Sequence, residues 1–130
     1  MPKESFDSVK IYYPEFSRDK LVSTLKSRVA LLGKELPLIA VVLFGSYAKG
    51  RQTAASDVDI VVVYRDPKNK DDYDLTLDSF GIPILEPHVY TVSEYLGLIR
   101  NGSWLPREIE HTGIVIYGKL PTEEKLDGAM

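Results

Sequence analysis

The clearest pattern along the chain is a helical stripe. From Ser17 onward, Leu21, Leu25, Val29, Leu32 and Leu36 recur at steps of 4, 4, 3 and 4, which predicts an amphipathic helix with one buried face. Ser17 suits its N-cap, Asp19 lies near its positive end, and Pro37 stops it. Next comes Leu-Ile-Ala-Val-Val-Leu-Phe, residues 38–44, short and apolar on both faces and closed by Gly45, as expected of a central strand covered on both sides. Residues 57–64, Asp-Val-Asp-Ile-Val-Val-Val-Tyr, form a second such strand whose opening carries two carboxylates.

Weaker signals fill in the rest. Residues 5–13 alternate roughly and end at Pro14, which predicts a short extended segment. Tyr73, Leu77 and Phe80 fall at steps of 4 and 3 and predict a modest helix before a turn at Gly81. Residues 82–90 read as a third strand, placed at a sheet edge by Pro83 and Pro87. Thr91 or Ser93 caps a helix running to about Arg100, which Asn101-Gly102 ends. Residues 104–111 read as another short helix with Leu105 and Ile109 inward, and residues 114–117 as a last strand. The stretch from Pro121 is polar. Together these elements predict one α+β domain over residues 1–130, with a small mixed sheet flanked by helices.

Composition narrows the chemistry. The chain has 130 residues, 44% hydrophobic and 27% charged, so a buried core is expected. It contains no cysteine, which excludes disulfides, thiolate metal sites and cysteine nucleophiles. His88 and His111 are its two imidazoles, too few for a multi-histidine zinc centre. The longest apolar stretch is far short of the ~20 residues needed to cross a bilayer, and the N-terminal residues lack a signal-like layout, so a cytoplasmic location is expected. A net charge of -3 argues against a nucleic-acid acceptor but leaves room for a local anion site.

The chemistry concentrates between the two central strands. Gly45 lets the backbone turn sharply and a ligand approach closely, and Ser46 can cap a following turn, an arrangement that suits phosphate. Lys49 and Arg51 follow within a turn or two and add positive charge there. Asp57 and Asp59 are two apart on a strand, so both point to one face, where they repel unless cations are bound. Hard oxygen ligands of this kind suit magnesium. Glu86 on the third strand can reach the same face, and His88 shares that face with it. Trp104 reads as a packing anchor, His88 and His111 as surface or hydrogen-bonded residues, and Lys68, Lys70, Asp71 and Asp72 as a solvated loop of mixed charge.

Leu-Phe-Gly-Ser-Tyr-Ala-Lys-Gly followed, ten residues after Ser46, by Asp-Val-Asp-Ile-Val-Val resembles the signature of the nucleotidyltransferase superfamily that includes DNA polymerase beta. The spacing resembles in particular that of the minimal nucleotidyltransferases, the MNT domains, with the core motif in residues 38–64. The resemblance implies two magnesium ions held by three carboxylates, and transfer of a nucleoside monophosphate from a triphosphate such as ATP to a hydroxyl. Carried over residue by residue, Gly45 and Ser46 hold the triphosphate, Asp57 and Asp59 bind metal, and Glu86 on the strand at 82–90 matches the third carboxylate. Aspartate is the usual residue at that third place and no proline follows it there, so Glu86 with Pro87 departs from the pattern. The small antitoxin-like members of the family imply a HEPN-domain protein as partner, modified by AMP transfer. A non-catalytic module that neutralises its partner by occlusion, and nucleotidylation of a small molecule, are the rival readings. Self-association is left open.

Overall fold

A computed structural model of the chain describes residues 17–52 and 56–122. The extended segment expected at 5–13 and most of the polar stretch after Pro121 lie outside these residues. In chain order the elements are α1 (Arg18–Gly33), β1 (Leu38–Phe44), α2 (Ser46–Lys49), β2 (Val58–Tyr64), α3 (Asp72–Phe80), β3 (Leu85–Thr91), α4 (Val92–Arg100), α5 (Trp104–Thr112) and β4 (Ile114–Gly118). The four strands form one mixed sheet in the order β3-β2-β1-β4, with β1 antiparallel to both β2 and β4, and β2 parallel to β3.

The two apolar runs become the central strands because each can bury both faces. Val41, Leu43, Ile60, Val62 and Tyr64 pack on one side against Leu21, Leu25 and Leu32 of α1 and Phe80 of α3. Val42, Phe44, Val61 and Val63 pack on the other against Tyr95 of α4 and Leu105 and Ile109 of α5. The result is a helix–sheet–helix sandwich whose strands alternate between two cores.

Local chemistry sets the element ends. The Ser17 hydroxyl accepts the Lys20 N–H at 3.2 Å and starts α1. That helix ends at Gly33, earlier than the stripe suggests, because Lys34 and Glu35 close tighter turns onto Leu31 and Leu32; Leu36 stays buried past the helix. Thr91 rather than Ser93 caps α4, through a reciprocal capping box with Glu94. Residues 82–84 form a turn, with the Leu85 N–H donating to Ile82 O, so β3 starts three residues later than expected. Pro87 sits in β3, at the sheet edge where a missing donor is tolerated.

Two expectations are corrected. Tyr73 does not face inward: α3 buries Asp72, Thr76 and Phe80, leaving Tyr73 exposed. Asp72 accordingly is no solvated loop residue. The Tyr64 hydroxyl donates to its carboxylate at 2.7 Å, Lys68 pairs with it at 2.9 Å, and the Asn69 N–H donates to the same hydroxyl at 2.8 Å. A buried carboxylate is tolerated because a donor and a cation meet it. This network ties the loop after β2 to α3.

Candidate active site

The C-terminal end of β1 and the N-terminal ends of β2 and β3 lie side by side, and the residues singled out by chemistry gather there. Phe44, the last residue of β1, stands opposite Asp59, and Asp59 stands opposite Glu86 in the parallel β2–β3 pair. Residues directly opposite on neighbouring strands share a face. Asp59 and Glu86 therefore project to the same side of the sheet, the side that α4 and α5 cover further along. Asp57 precedes β2 by one residue and is exposed, as is Glu86, whereas Asp59 is half-buried. His88, two residues after Glu86, shares its face, and its ring centroid lies 5.3 Å from that of Phe44.

Charge at this rim is concentrated. Burial, first of all, pushes the Asp59 carboxyl above its ordinary value; His88 opposes the shift, and the negative neighbours Asp57 and Glu86 add to it. Two further carboxylates thus act on Asp59 at the mouth of the sheet.

Gly45 links the carboxylates to the turn that follows β1. Its φ of 80° is a conformation that residues with a side chain rarely adopt, and a Cβ built there would run into the Asp59 carboxylate, with Cγ at 3.2 Å. The turn backbone and Asp59 are therefore packed against each other because residue 45 has no side chain. Ser46 then opens α2, whose Lys49 N–H donates to Gly45 O at 3.1 Å and whose last turn is met by Arg18, donating to Ala48 O at 3.1 Å. Arg18 is a contact that sequence reasoning missed, since nothing in a helix's first residue signals a partner 30 positions away.

The two basic residues expected near the phosphates make different contacts. Lys49 Nζ is 2.8 Å from Glu108 Oε2, so it ties α2 to α5. Arg51 is exposed, and its backbone N–H donates to Ser46 O. Glu108 is further held by the Thr112 hydroxyl at 3.3 Å, and hydrogen bonding to Lys49 keeps its carboxyl below the ordinary value.

Trp104 is the other departure. Its indole is 62% exposed instead of anchoring the core, and it lies 6.3 Å from Phe44 between ring centroids. The Leu105 and Ile109 stripe contained the signal, because a residue adjacent to an inward position on a helix turns away from that face.

Among the described residues no three His, Asp or Glu side chains form a ready-made metal cage. The donor set nevertheless fits magnesium: it is all carboxylate oxygen, partly solvent-facing and crowded with negative charge. Magnesium is usually held by one or two carboxylates and completes its shell with water and substrate phosphates.

Comparison with known proteins agrees with this geometry. A nucleotidyltransferase from Sulfolobus solfataricus, described as putative, superposes with a TM-score of 0.53 at 19% identity, covering 78% of this chain and 84% of that one. A toxin–antitoxin structure with AMP-PNP superposes with a TM-score of 0.51 at 21% identity, covering 72% and 73%. A mutant of the toxin–antitoxin complex MntA–HpeT gives 0.50 at 19% identity, also over 72% and 73%. These likenesses speak for the fold, which is that of the nucleotidyltransferases. No curated protein matches the chain. The sequence model of the nucleotidyltransferase domain matches residues 19–111, which take in the turn, all three carboxylates and α5 up to His111, and by that match the chain belongs to the nucleotidyltransferase domain family.

Proposed function

We propose that this protein transfers a nucleoside monophosphate, AMP in the first instance, from a nucleoside triphosphate to a hydroxyl on a protein partner. The observation that carries the reading is the packing of the Gly45–Ser46 turn against Asp59, with Glu86 in register beside it. A phosphate chain laid on the turn lies directly over the carboxylates.

In this reading Gly45 and Ser46 hold the triphosphate, the first by letting the backbone come close and the second through its N–H and hydroxyl. Asp57, Asp59 and Glu86 hold two magnesium ions, which, when bound, neutralise charge on the attacking and leaving oxygens. Glu86, exposed at the rim, faces the incoming hydroxyl and accepts its hydrogen bond. The acceptor oxygen forms a bond to the α-phosphorus, the bond to the β-phosphate's bridging oxygen breaks, the hydroxyl proton passes to solvent, and pyrophosphate leaves. No covalent enzyme intermediate is required. Lys49, fixed by Glu108, positions α2, while Arg51 is exposed beside the turn and adds positive charge for the phosphates.

The partner is argued from likeness. The likeness to toxin–antitoxin structures, one of them with AMP-PNP, supports a toxin partner, for which the HEPN-domain protein implied by the sequence resemblance is the candidate. A partner of that kind would bring the acceptor hydroxyl to the open rim of the sheet.

The test is incubation with radiolabelled ATP and magnesium, with and without the protein encoded beside this one. Wild type is compared with the Asp57→Asn, Asp59→Asn double variant. Label on the partner that the double variant loses is the expected result. Label undiminished in a folded double variant overturns the site, and a wild type that binds no triphosphate in the presence of magnesium overturns the activity in favour of occlusion.

A further inference from the structure

Trp104 is the chain's single tryptophan, and most of its surface is exposed. Its position is specific. It opens α5 directly after the Ser103 cap, on the side of the helix turned away from Leu105 and Ile109, which enter the core. Its ring lies 6.3 Å between centroids from that of Phe44, the residue immediately before Gly45 and opposite Asp59. An exposed indole therefore borders the rim that carries the carboxylates.

A groove begins at this ring. It has a volume of about 490 Å³ and is lined by Gly102, Trp104, Arg107, Glu108 and His111. That volume lies within the range of small-molecule sites, ~300–1,000 Å³. Glu108 is the residue that Lys49 of α2 grips, so the groove wall is tied to the turn starting at Gly45. The indole, a guanidinium, a carboxylate and an imidazole lining one groove combine a flat apolar surface with donors and acceptors, a combination that suits a heteroaromatic ring.

We propose that Trp104 is the platform for the nucleobase: the base of the bound nucleotide stacks on its indole, with Phe44 behind it, while the triphosphate lies at Gly45 and Ser46. The inference rests on the nucleotidyltransferase reading above and adds what that reading lacks, a residue that recognises the nucleoside half of the substrate. The groove's volume, and its wall at Glu108 held by Lys49 of α2, favour a base over a partner's peptide segment. Stacking on one aromatic ring is sequence-tolerant, so Trp104 gives affinity for nucleotides over bare polyphosphate rather than a choice among bases.

The single tryptophan makes the test direct. Tryptophan emission of the full chain is followed while AMP-PNP with magnesium, or inorganic tripolyphosphate with magnesium, is added, and affinities of wild type, Trp104→Ala and Trp104→Phe for both ligands are measured by calorimetry. The expected result is saturable quenching by AMP-PNP and little by tripolyphosphate. Trp104→Ala should bind AMP-PNP roughly 5- to 150-fold more weakly, as loss of one stacked base implies, with tripolyphosphate affinity unchanged and much of the loss restored in Trp104→Phe. AMP-PNP binding to Trp104→Ala with wild-type affinity overturns the platform and leaves the nucleotidyltransferase reading standing, including where that variant then fails to label its partner. Equal weakening for both ligands likewise overturns it, as a general effect on the fold. Binding of neither ligand by wild type overturns both readings.

Discussion

Gly45 shows how one missing side chain can hold a site together. Its φ of 80° and the closeness of the Asp59 carboxylate act in the same direction, since a substituent at this place would be strained by the backbone and would strike the one half-buried carboxylate of the rim. Gly45→Ala should therefore cost about 1–3 kcal/mol of stability from the backbone strain alone, and it should abolish nucleotide binding by displacing Asp59. Urea denaturation and calorimetry with AMP-PNP check the two effects separately. A variant within about 0.5 kcal/mol of wild type, the range of ordinary surface substitutions, would show that the turn relaxes freely and that Gly45 is a mere connector. The adjacent glycine, serine and aspartates were legible in the sequence because each has a conformational or chemical requirement that few residues meet. Trp104 and Asp72 were misread for the opposite reason. An indole is at home in a core and an aspartate in a loop, and only the faces of α5 and α3 reveal that one is exposed and the other buried.

Among the elements, α2 is a single turn of four residues that has too few internal hydrogen bonds to stand alone. It is pinned from both sides: Arg18 of α1 takes its Ala48 carbonyl, and Glu108 of α5 takes its Lys49 ammonium. The helix stripe of α1 and the double-faced runs of β1 and β2 were readable because period 3.6 and period 2 are local properties. These pins were not, because a surface charge carries no mark of the distant charge it meets. The Lys49–Glu108 tether has a pH signature. Hydrogen bonding to Lys49 lowers the folded-state pKa of Glu108 from its ordinary 4.5, so the folded state holds its proton less tightly than the unfolded one. Its contribution is fully present above that ordinary value and is lost as pH falls through the folded value. Because both side chains are still partly exposed to screening solvent, the expected effect is small, about 0.2–1 kcal/mol. Glu108→Gln should thus be slightly less stable than wild type at pH 7 and should converge with it at pH 3, with denaturation midpoints as the readout. A difference that stays constant across that range would mean that the tether does not hold α2 through charge.

At the scale of the whole molecule, the two cores on either side of the sheet support a rim that works against them. β1 and β2 bury almost every side chain they carry, and yet the rim at the start of β2 and its neighbour β3 brings Asp57, Asp59 and Glu86 together. Desolvation and like charge raise the Asp59 pKa in the folded state, against the pull of His88. For a carboxylic acid this sign means that the folded protein binds the proton more tightly than the unfolded one. The cost is absent below the ordinary value of 3.8, develops as pH rises through the folded value, and is present in full at neutral pH. Removing the charge should relieve it. In metal-free buffer at pH 7, Asp59→Asn is expected to melt about 2–4 °C above wild type, corresponding to somewhat under 1 kcal/mol for a domain of this size. Magnesium should reverse the order. An ion that binds only the folded state stabilises by about 2.7 kcal/mol at a hundred times its dissociation constant, so millimolar magnesium should raise the wild-type melting temperature and leave Asp59→Asn largely unmoved. If wild type is already the more stable protein without metal, the rim is satisfied by its own contacts, Asp59 serves the fold, and the charge at the mouth of the sheet has no need of a cation. If instead the two melting curves cross on adding magnesium, the instability is specific to the empty rim, and the fold retains it because ligand binding returns more stability than the carboxylates remove.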